Sequence, residues 1–154
     1  MSPAQGLPGT ANLLLSLGYE GRRAEELVAT LVAEGIHTVV DVRLTPISRK
    51  PGLSKTKLAM ALDAEGIRYE HLKALGNPRD NRTLFRARDK AGRARFAAVL
   101  SGAEAEQALD RLHTLVGLGS VALLCFERDH ATCHREMVAD ALRAQDERIV
   151  VRHL

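Results

Sequence analysis

The chain contains few of the residues that several classes of protein require. Of its 154 residues, only two are cysteine and five are aromatic, and tryptophan is absent. A protein that binds single-stranded nucleic acid by stacking bases on aromatic rings would need more such side chains. No apolar run approaches the ~20 residues needed to cross a bilayer, so we expect no association with a membrane.

Several short functional motifs are also missing. The sequence has neither G-x-G-x-x-G nor G-x4-G-K-[ST], which argues against a Rossmann dinucleotide site and a Walker nucleotide site. It has no C-x-x-C redox motif, and Ala131 occupies the position that the arginine of a C-x5-R phosphatase loop would take after Cys125. The start MSPAQGLPGT lacks the basic and apolar parts of a secretory signal. We therefore expect a cytoplasmic protein without a structural disulfide.

Positive charge is concentrated in two segments. Residues 43–57 and residues 79–95 each carry a net charge of +5, whereas the whole chain carries +3, so the remainder is net acidic. A concentrated basic field on an acidic body predicts an anionic partner, either a phosphate-bearing small molecule or nucleic acid. The alternative is that both segments are simply solvated basic loops.

Short apolar segments alternate with segments of helical periodicity. The predicted strands lie near residues 13–17, 37–42, 67–72, 121–126 and 148–154. The predicted helices lie near residues 22–35, 55–66, 83–100, 103–119 and 132–144. This alternation predicts an α/β fold, a mostly parallel sheet flanked by helices in a Rossmann-like three-layer arrangement. We expect a flexible leader over residues 1–12 and a single domain over residues 13–154.

Polar side chains stand at the carboxyl ends of four predicted strands. In parallel sheets, ligands bind in crevices at these ends. The sequence therefore predicts a site at this edge of the sheet. The residues concerned include Tyr19, Asp41, Arg43, Glu70, His71, Cys125, Glu127, Cys133, His134 and Arg135.

Four sequence motifs carry a family resemblance. The motifs GYEGR, VVDVR with a following SRKPGLSK, RYEHLKALGNPR and LLCFERDHATCHR occur in this order. Over Leu13 to Leu154 the chain resembles the domain of unknown function 488 family, and the most recognisable mark is the C-x7-C-H-R element of Cys125 to Arg135. Residues 81–103 match least well. The resemblance implies an α/β fold and brings no settled activity.

The two cysteines allow three interpretations. Cys125, Cys133 and His134 are suitable metal ligands. However, adjacent residues at a helix start point about 100° apart, so both can face one ion only where the backbone is not yet helical. Without a C-x2-C knuckle, we do not expect a closed structural metal site.

The second interpretation is thiol chemistry, and the third is packing. Cys133 is predicted in the first turn of a helix with Asp129 or Thr132 as N-cap, where the helix dipole and Arg135 favour a thiolate. It should then alkylate faster than Cys125, which is expected to be buried. Alternatively, both cysteines are buried packing residues, which is common for free cysteine.

The sequence favours an enzyme that acts on a phosphate-bearing substrate, either a nucleotide or a nucleic-acid derivative. The candidate catalytic residues are Cys133, His134, Glu127 and Asp41, and the candidate ligand-binding residues are Tyr19, Arg43, His71, Arg79 and Arg135. One alternative is a non-catalytic nucleic-acid-binding or regulatory module. Another is a thiol or metal sensor that uses Cys125, Cys133 and His134. The sequence indicates neither a reaction nor a cofactor.

Overall fold

Five parallel strands form one sheet in the computed structural model, which describes residues 11–154. The strands are β1 (Leu13–Gly18), β2 (Thr38–Asp41), β3 (Arg68–His71), β4 (Val121–Cys125) and β5 (Val150–His153). Their order is β3-β2-β4-β1-β5, and all neighbouring pairs are parallel. The predicted α/β fold is confirmed. Residues 1–10 of the predicted leader lie outside the described residues.

Helices cover both faces of the sheet. In the described part of the chain they are α1 (Ala24–Ala33), α2 (Lys55–Ala64), α3 (Arg82–Arg86), α4 (Lys90–Leu100), α5 (Ala103–Leu118) and α6 (Arg135–Gln145). Leucines of α1 and α2 form one core layer, and apolar residues of α3 to α6 form the other. Within residues 11–154, no helix is long and apolar enough to cross a membrane.

The central strand β4 explains much of this architecture. All five of its residues are buried, because it pairs with β1 on one side and β2 on the other. Successive side chains of a strand point to opposite faces. Leu123 therefore joins the core layer under α5 and α6, while Leu124 joins the layer under α1 and α2. A continuous apolar run is what a strand covered on both faces requires.

Two helix boundaries differ from the sequence predictions. The helix predicted over 83–100 is two helices, because Arg88 takes a left-handed conformation (φ 59°) and Asp89 begins a new helix by accepting a hydrogen bond from the Ala91 amide. The last helix begins at Arg135 and not near Thr132. Asp129 caps a separate 3-10 helix, His130–Thr132, and Cys133 follows in extended conformation (φ −117°, ψ 146°).

The chain connections create a crevice at the carboxyl edge of the sheet. After β2, the chain passes through α2 on one face to the outer strand β3, whereas after β4 it passes through α6 on the opposite face to β5. The two connections diverge between β2 and β4. Ligands of open α/β sheets bind at such a divergence, and the predicted site residues lie here.

Candidate functional site

A pocket of about 440 Å³ opens at the carboxyl edge of β1, β2 and β4. Four arginines line it: Arg43, Arg49, Arg79 and Arg82. Glu127 is the one acidic residue among the lining residues. The pocket wall is therefore strongly positive, as the two basic segments of the sequence predict.

Arg43 is held rigidly by Asp41. Its Nε and Nη2 donate to the Asp41 carboxylate at 2.9 and 2.6 Å, and its Nη1 donates to the Leu53 carbonyl at 2.7 Å. Burial alone would lower the pKa of Arg43, but the carboxylate outweighs it and raises the pKa. The Tyr69 hydroxyl donates to the same carboxylate at 2.5 Å, and burial together with this bond raises the pKa of Tyr69. Asp41 is fully buried and its role here is to orient Arg43.

Cys125, Cys133 and His134 converge at the base of the pocket. The two sulfurs and the ring nitrogen Nδ1 of His134 all lie within 4.8 Å of one another. Nδ1 is 3.9 Å from Cys125 Sγ and 3.6 Å from Cys133 Sγ. On the other side of the ring, Nε2 lies 2.8 Å from the Val42 carbonyl. Because a carbonyl only accepts, Nε2 carries a proton and Nδ1 faces the sulfurs.

Arg135 lies behind this cluster and does not line the pocket. It is fully buried and donates to Ser16 Oγ at 2.7 Å, to the Glu127 carbonyl at 2.7 Å and to Cys133 Sγ at 3.4 Å. Within residues 11–154 no carboxylate forms an ion pair with it. A buried guanidinium requires a negative partner, and the Cys133 sulfur is in position to supply it.

The pKa values of the two cysteine thiols are shifted in opposite directions. Burial opposes ionisation of Cys133, but the hydrogen bond from Cys125 and the charge of Arg135 lower its pKa. The hydrogen bond to Cys133 and burial both raise the pKa of Cys125. The pKa of Cys133 is therefore lower than that of Cys125, which makes Cys133 the more acidic thiol of the pair. For His134, burial opposes protonation but the neighbouring Cys125 raises the pKa.

Cys125 is buried, as the sequence predicts, but Cys133 is not the more accessible thiol that the sequence predicts. Cys133 is completely buried and does not belong to the first turn of a helix, whereas Cys125 borders the pocket. Solvent therefore reaches Cys125 before Cys133. The acidity expected for Cys133 arises from Arg135 and Cys125, because the extended backbone at Cys133 removes the helix-start explanation.

Glu127 has one oxygen without a hydrogen-bond partner. The residue is only 7% exposed, and its Oε2 makes no hydrogen bond. Arg82 and Arg86 lie 3.8 and 3.9 Å from this oxygen, which is ion-pair distance without direct contact. Glu127 is thus a buried carboxylate that is neutralised by nearby arginines and lacks a direct hydrogen bond at Oε2.

The remaining predicted residues divide into two groups. Tyr19 and Arg79 line the pocket, and the Tyr19 ring packs 5.4 Å from the guanidinium carbon of Arg43. His71 does not line the pocket. Its Nε2 lies 2.6 Å from the Arg43 carbonyl. His71 therefore supports the loop after β2.

Sequence reasoning did not single out Arg49, Asn77 and Arg82, which also line the pocket. The two arginines belong to the basic segments. No periodicity in an irregular segment indicates which of its arginines faces a pocket. Asn77 is buried and accepts a hydrogen bond from the Asn81 amide, so it belongs to a folded turn that the sequence alone does not reveal.

The chain belongs to the family described as "Domain of unknown function DUF488", whose sequence profile matches residues 23–142. No curated protein and no solved structure matches it significantly. The family assignment agrees with the resemblance seen in the sequence motifs, and it carries no activity with it.

Proposed function

We propose that this DUF488 protein is an enzyme that binds a phosphate-bearing substrate of nucleotide size in the arginine-lined pocket. The observation that supports this most is the placement of three exposed arginines, Arg49, Arg79 and Arg82, around a pocket with a thiol, an imidazole and a carboxylate at its base. Binding groups and chemically reactive groups thus share one concave surface, as an active site requires.

The arginines suit a phosphate. A guanidinium offers parallel N–H donors that bind phosphate oxygens in a bidentate way. Arg43 is only 5% exposed and its Nε, Nη1 and Nη2 already donate to Asp41 and Leu53, so the bidentate contacts come from the exposed arginines. Arg79 and Arg82 are exposed and line the pocket, so both guanidinium groups can reach a bound phosphate.

The size of the pocket favours a small ligand. Its volume of about 440 Å³ lies within the range of small-molecule sites, roughly 300–1,000 Å³. Tyr19 and Phe126 supply apolar surface next to the arginines, which suits the base or sugar of a nucleotide. We therefore favour a nucleotide or a terminal nucleotide over a duplex.

The reactive groups have distinct positions in this proposal. Glu127, a buried carboxylate among the residues that line the pocket, is the candidate general base or acid. His134 and Cys125 reach the pocket, whereas Cys133 acts from behind them. Asp41 and Arg135 position their neighbours, because neither borders the pocket.

Binding measurements on matched arginine variants test the proposal. Arg79→Ala and Arg82→Ala should each weaken binding of nucleoside monophosphates about tenfold or more, since a hydrogen bond to a charged group contributes about 1.5–3 kcal/mol. Arg68→Ala is the control, because Arg68 is exposed at the amino end of β3, on the opposite edge of the sheet. Isothermal titration calorimetry with thermal unfolding of each variant provides the measurement. If Arg79→Ala and Arg82→Ala bind nucleoside monophosphates as tightly as the Arg68→Ala control, the pocket is not the binding site.

A second candidate function is a non-catalytic nucleic-acid-binding module. The observation in its favour is a shallow depression beside the pocket, over residues 46–57, which carries Lys50, Lys55 and Lys57. An oligonucleotide bound at the pocket would pass over these lysines. Lys55→Ala with Lys57→Ala should then weaken oligonucleotide binding and leave mononucleotide binding unchanged.

A further inference from the structure

We infer that Cys125, Cys133 and His134 bind a divalent transition metal, with Zn²⁺ the best match, and leave one coordination position open to the pocket. This deepens the proposed function, because the metal would supply a reactive centre at the base of the phosphate pocket. The inference rests on the spacing, orientation and surroundings of the three ligand atoms.

The spacing fits tetrahedral coordination. Zinc binds sulfur at about 2.3 Å and imidazole nitrogen at about 2.0–2.1 Å, so two such ligands at a tetrahedral angle lie about 3.6 Å apart. The observed distances from His134 Nδ1 are 3.6 Å to Cys133 Sγ and 3.9 Å to Cys125 Sγ. A cation between these atoms needs only small side-chain adjustments.

The local backbone makes this convergence possible. Cys133 is extended and α6 begins at Arg135, so Cys133 and His134 are not yet helical neighbours. Their side chains can then point toward one position. Adjacent Cys and His residues can bind the same ion only where the backbone between them is not helical, and Cys133 and His134 meet this condition.

Outer contacts fix both kinds of ligand. His134 donates Nε2–H to the Val42 carbonyl, which leaves Nδ1 as the coordinating nitrogen. Histidine ligands of metals almost always donate their second ring nitrogen in this way. Arg135 donates to Cys133 Sγ and is itself held by Ser16, so a deprotonated sulfur has a fixed donor.

The site has three ligands and a free side. Cys125 and His134 border the pocket, so the unfilled position faces the bound substrate. Glu127 also borders the pocket, but within the described chain the group of converging ligands comprises only the two cysteines and the histidine. Structural zinc sites have four protein ligands, whereas three ligands and an open position are typical of catalytic zinc.

Cobalt titration of chelator-treated protein tests the inference. Cobalt(II) bound by thiolates gives a sulfur-to-metal charge-transfer absorption and intense visible bands in tetrahedral geometry. We expect one Co²⁺ per chain with both features, and displacement by Zn²⁺. Cys125→Ser and Cys133→Ser should each lose the charge-transfer intensity or weaken binding by at least about tenfold. His113→Asn, on α5 and half-exposed away from the pocket, should bind like the wild type.

A second measurement uses only the wild-type protein, so it tests the inference even if the cysteine variants do not fold. In the wild-type protein, Zn²⁺ should protect both thiols from maleimide, and a chelator should restore labelling of Cys125 first. Absence of thiolate-to-cobalt absorption in folded wild-type protein would overturn the inference, and so would unchanged labelling with Zn²⁺.

The proposed metal site and the proposed phosphate pocket can be refuted separately. Arg79→Ala should lose nucleotide affinity and keep its cobalt spectrum, whereas chelator-treated wild-type protein, which has no cobalt spectrum, should still bind the nucleotide through its arginines. Nucleotide binding without any metal binding would refute the metal site alone. Metal binding without nucleotide binding in the wild type would refute the phosphate pocket alone.

Discussion

Ser16 connects two buried basic residues that lie beneath the candidate site. Its hydroxyl oxygen accepts from Arg135 Nε at 2.7 Å and lies 2.6 Å from His130 Nδ1. Because Arg135 can only donate, the Ser16 proton is free to point at His130, whose Nδ1 then accepts. This arrangement requires a neutral His130 imidazole.

Several surroundings of His130 oppose its protonation. Burial, the stacked His153 ring at 3.8 Å and the charge of Arg135 lower the pKa of His130 to about 4, although Glu136 and Asp129 act in the opposite direction. An unfolded histidine titrates near pH 6.5. Between these two values the unfolded chain binds a proton that the native protein excludes.

This difference predicts acid sensitivity. The contribution of His130 to stability is complete above about pH 6.5 and is lost as the pH falls toward about 4, with a total of up to about 3 kcal/mol. In His130→Asn, the Asn side chain does not titrate, so the fall in unfolding free energy between pH 6.5 and pH 4.5 should be smaller than in wild type. Urea denaturation of both proteins across this range provides the measurement.

Substitution of a second histidine outside this buried cluster provides a control. His113 is half-exposed and pairs with Asp146, so His113→Asn leaves the buried imidazole in place. The steep acid dependence should persist in that variant. If the unfolding free energies of wild type and His130→Asn fall equally with decreasing pH, His130 is protonated in the native protein at little free-energy cost.

At the level of secondary-structure elements, Gly18 lets β1 end directly against the segment after β4. A Cβ atom on Gly18 would lie 1.9 Å from the Glu127 carbonyl oxygen and 2.9 Å from the Arg128 Cα. Both of these atoms belong to the backbone, so no side chain can rotate away. The same Glu127 carbonyl accepts from Arg135. The glycine thus allows the close approach that positions Glu127 at the pocket.

Two glycine-to-alanine substitutions should therefore have opposite effects. Gly18→Ala should destabilise the protein by about 1–3 kcal/mol, because the end of β1 and the segment after β4 must separate. Gly117→Ala should stabilise it by about 0.5–1 kcal/mol, because Gly117 lies in α5 with open space around the added methyl group. Denaturant titrations and calorimetry measure both effects. A neutral Gly18→Ala would mean that the loop moves freely and does not position Glu127.

Patterns that extend over a whole element could be predicted from the sequence, whereas single-residue backbone states could not. The apolar run Val121–Cys125 identified the central strand, and the alternation of strands and helices identified the sheet. The last helix starts later than the sequence predicts, because Asp129 caps a separate 3-10 helix and Cys133 follows it in extended conformation. The meeting of Cys125, Cys133 and His134 depends on the extended state of Cys133, which spacing alone does not encode.

At the scale of the whole molecule, the fold brings the two basic segments together. One segment follows β2 and the other follows β3, so both begin at the carboxyl edge of neighbouring strands. The two segments are far apart in sequence, but the parallel pairing of β2 and β3 places their starting points next to each other. Arg49 comes from the first segment, and Arg79 and Arg82 come from the second. The positive field is thus concentrated at one edge of a chain whose net charge is only +3.

The salt dependence of binding distinguishes the two candidate partners of this field. An extended nucleic acid releases counterions from every contacted phosphate, with a slope in log–log form of about −0.7 per contact for single strands. Under the proposed function, a mononucleotide would contact the pocket arginines through one phosphate group. We therefore expect its dissociation constant to rise less than about tenfold between 50 and 200 mM salt, whereas 6–10 phosphate contacts with duplex DNA would give about 10³–10⁵.

The lysines of residues 46–57 provide a test of whether a longer ligand binds beyond the pocket. If the protein is a nucleotide enzyme, Lys55→Ala with Lys57→Ala should leave both the affinity and the salt slope for the mononucleotide unchanged, because neither lysine lines the pocket. If it binds nucleic acid, the same double variant should reduce the slope for an oligonucleotide by about 1.4, which corresponds to two lost contacts with a single strand. A steep slope for the oligonucleotide, together with undetectable mononucleotide binding, would contradict the enzyme proposal and favour the nucleic-acid-binding module.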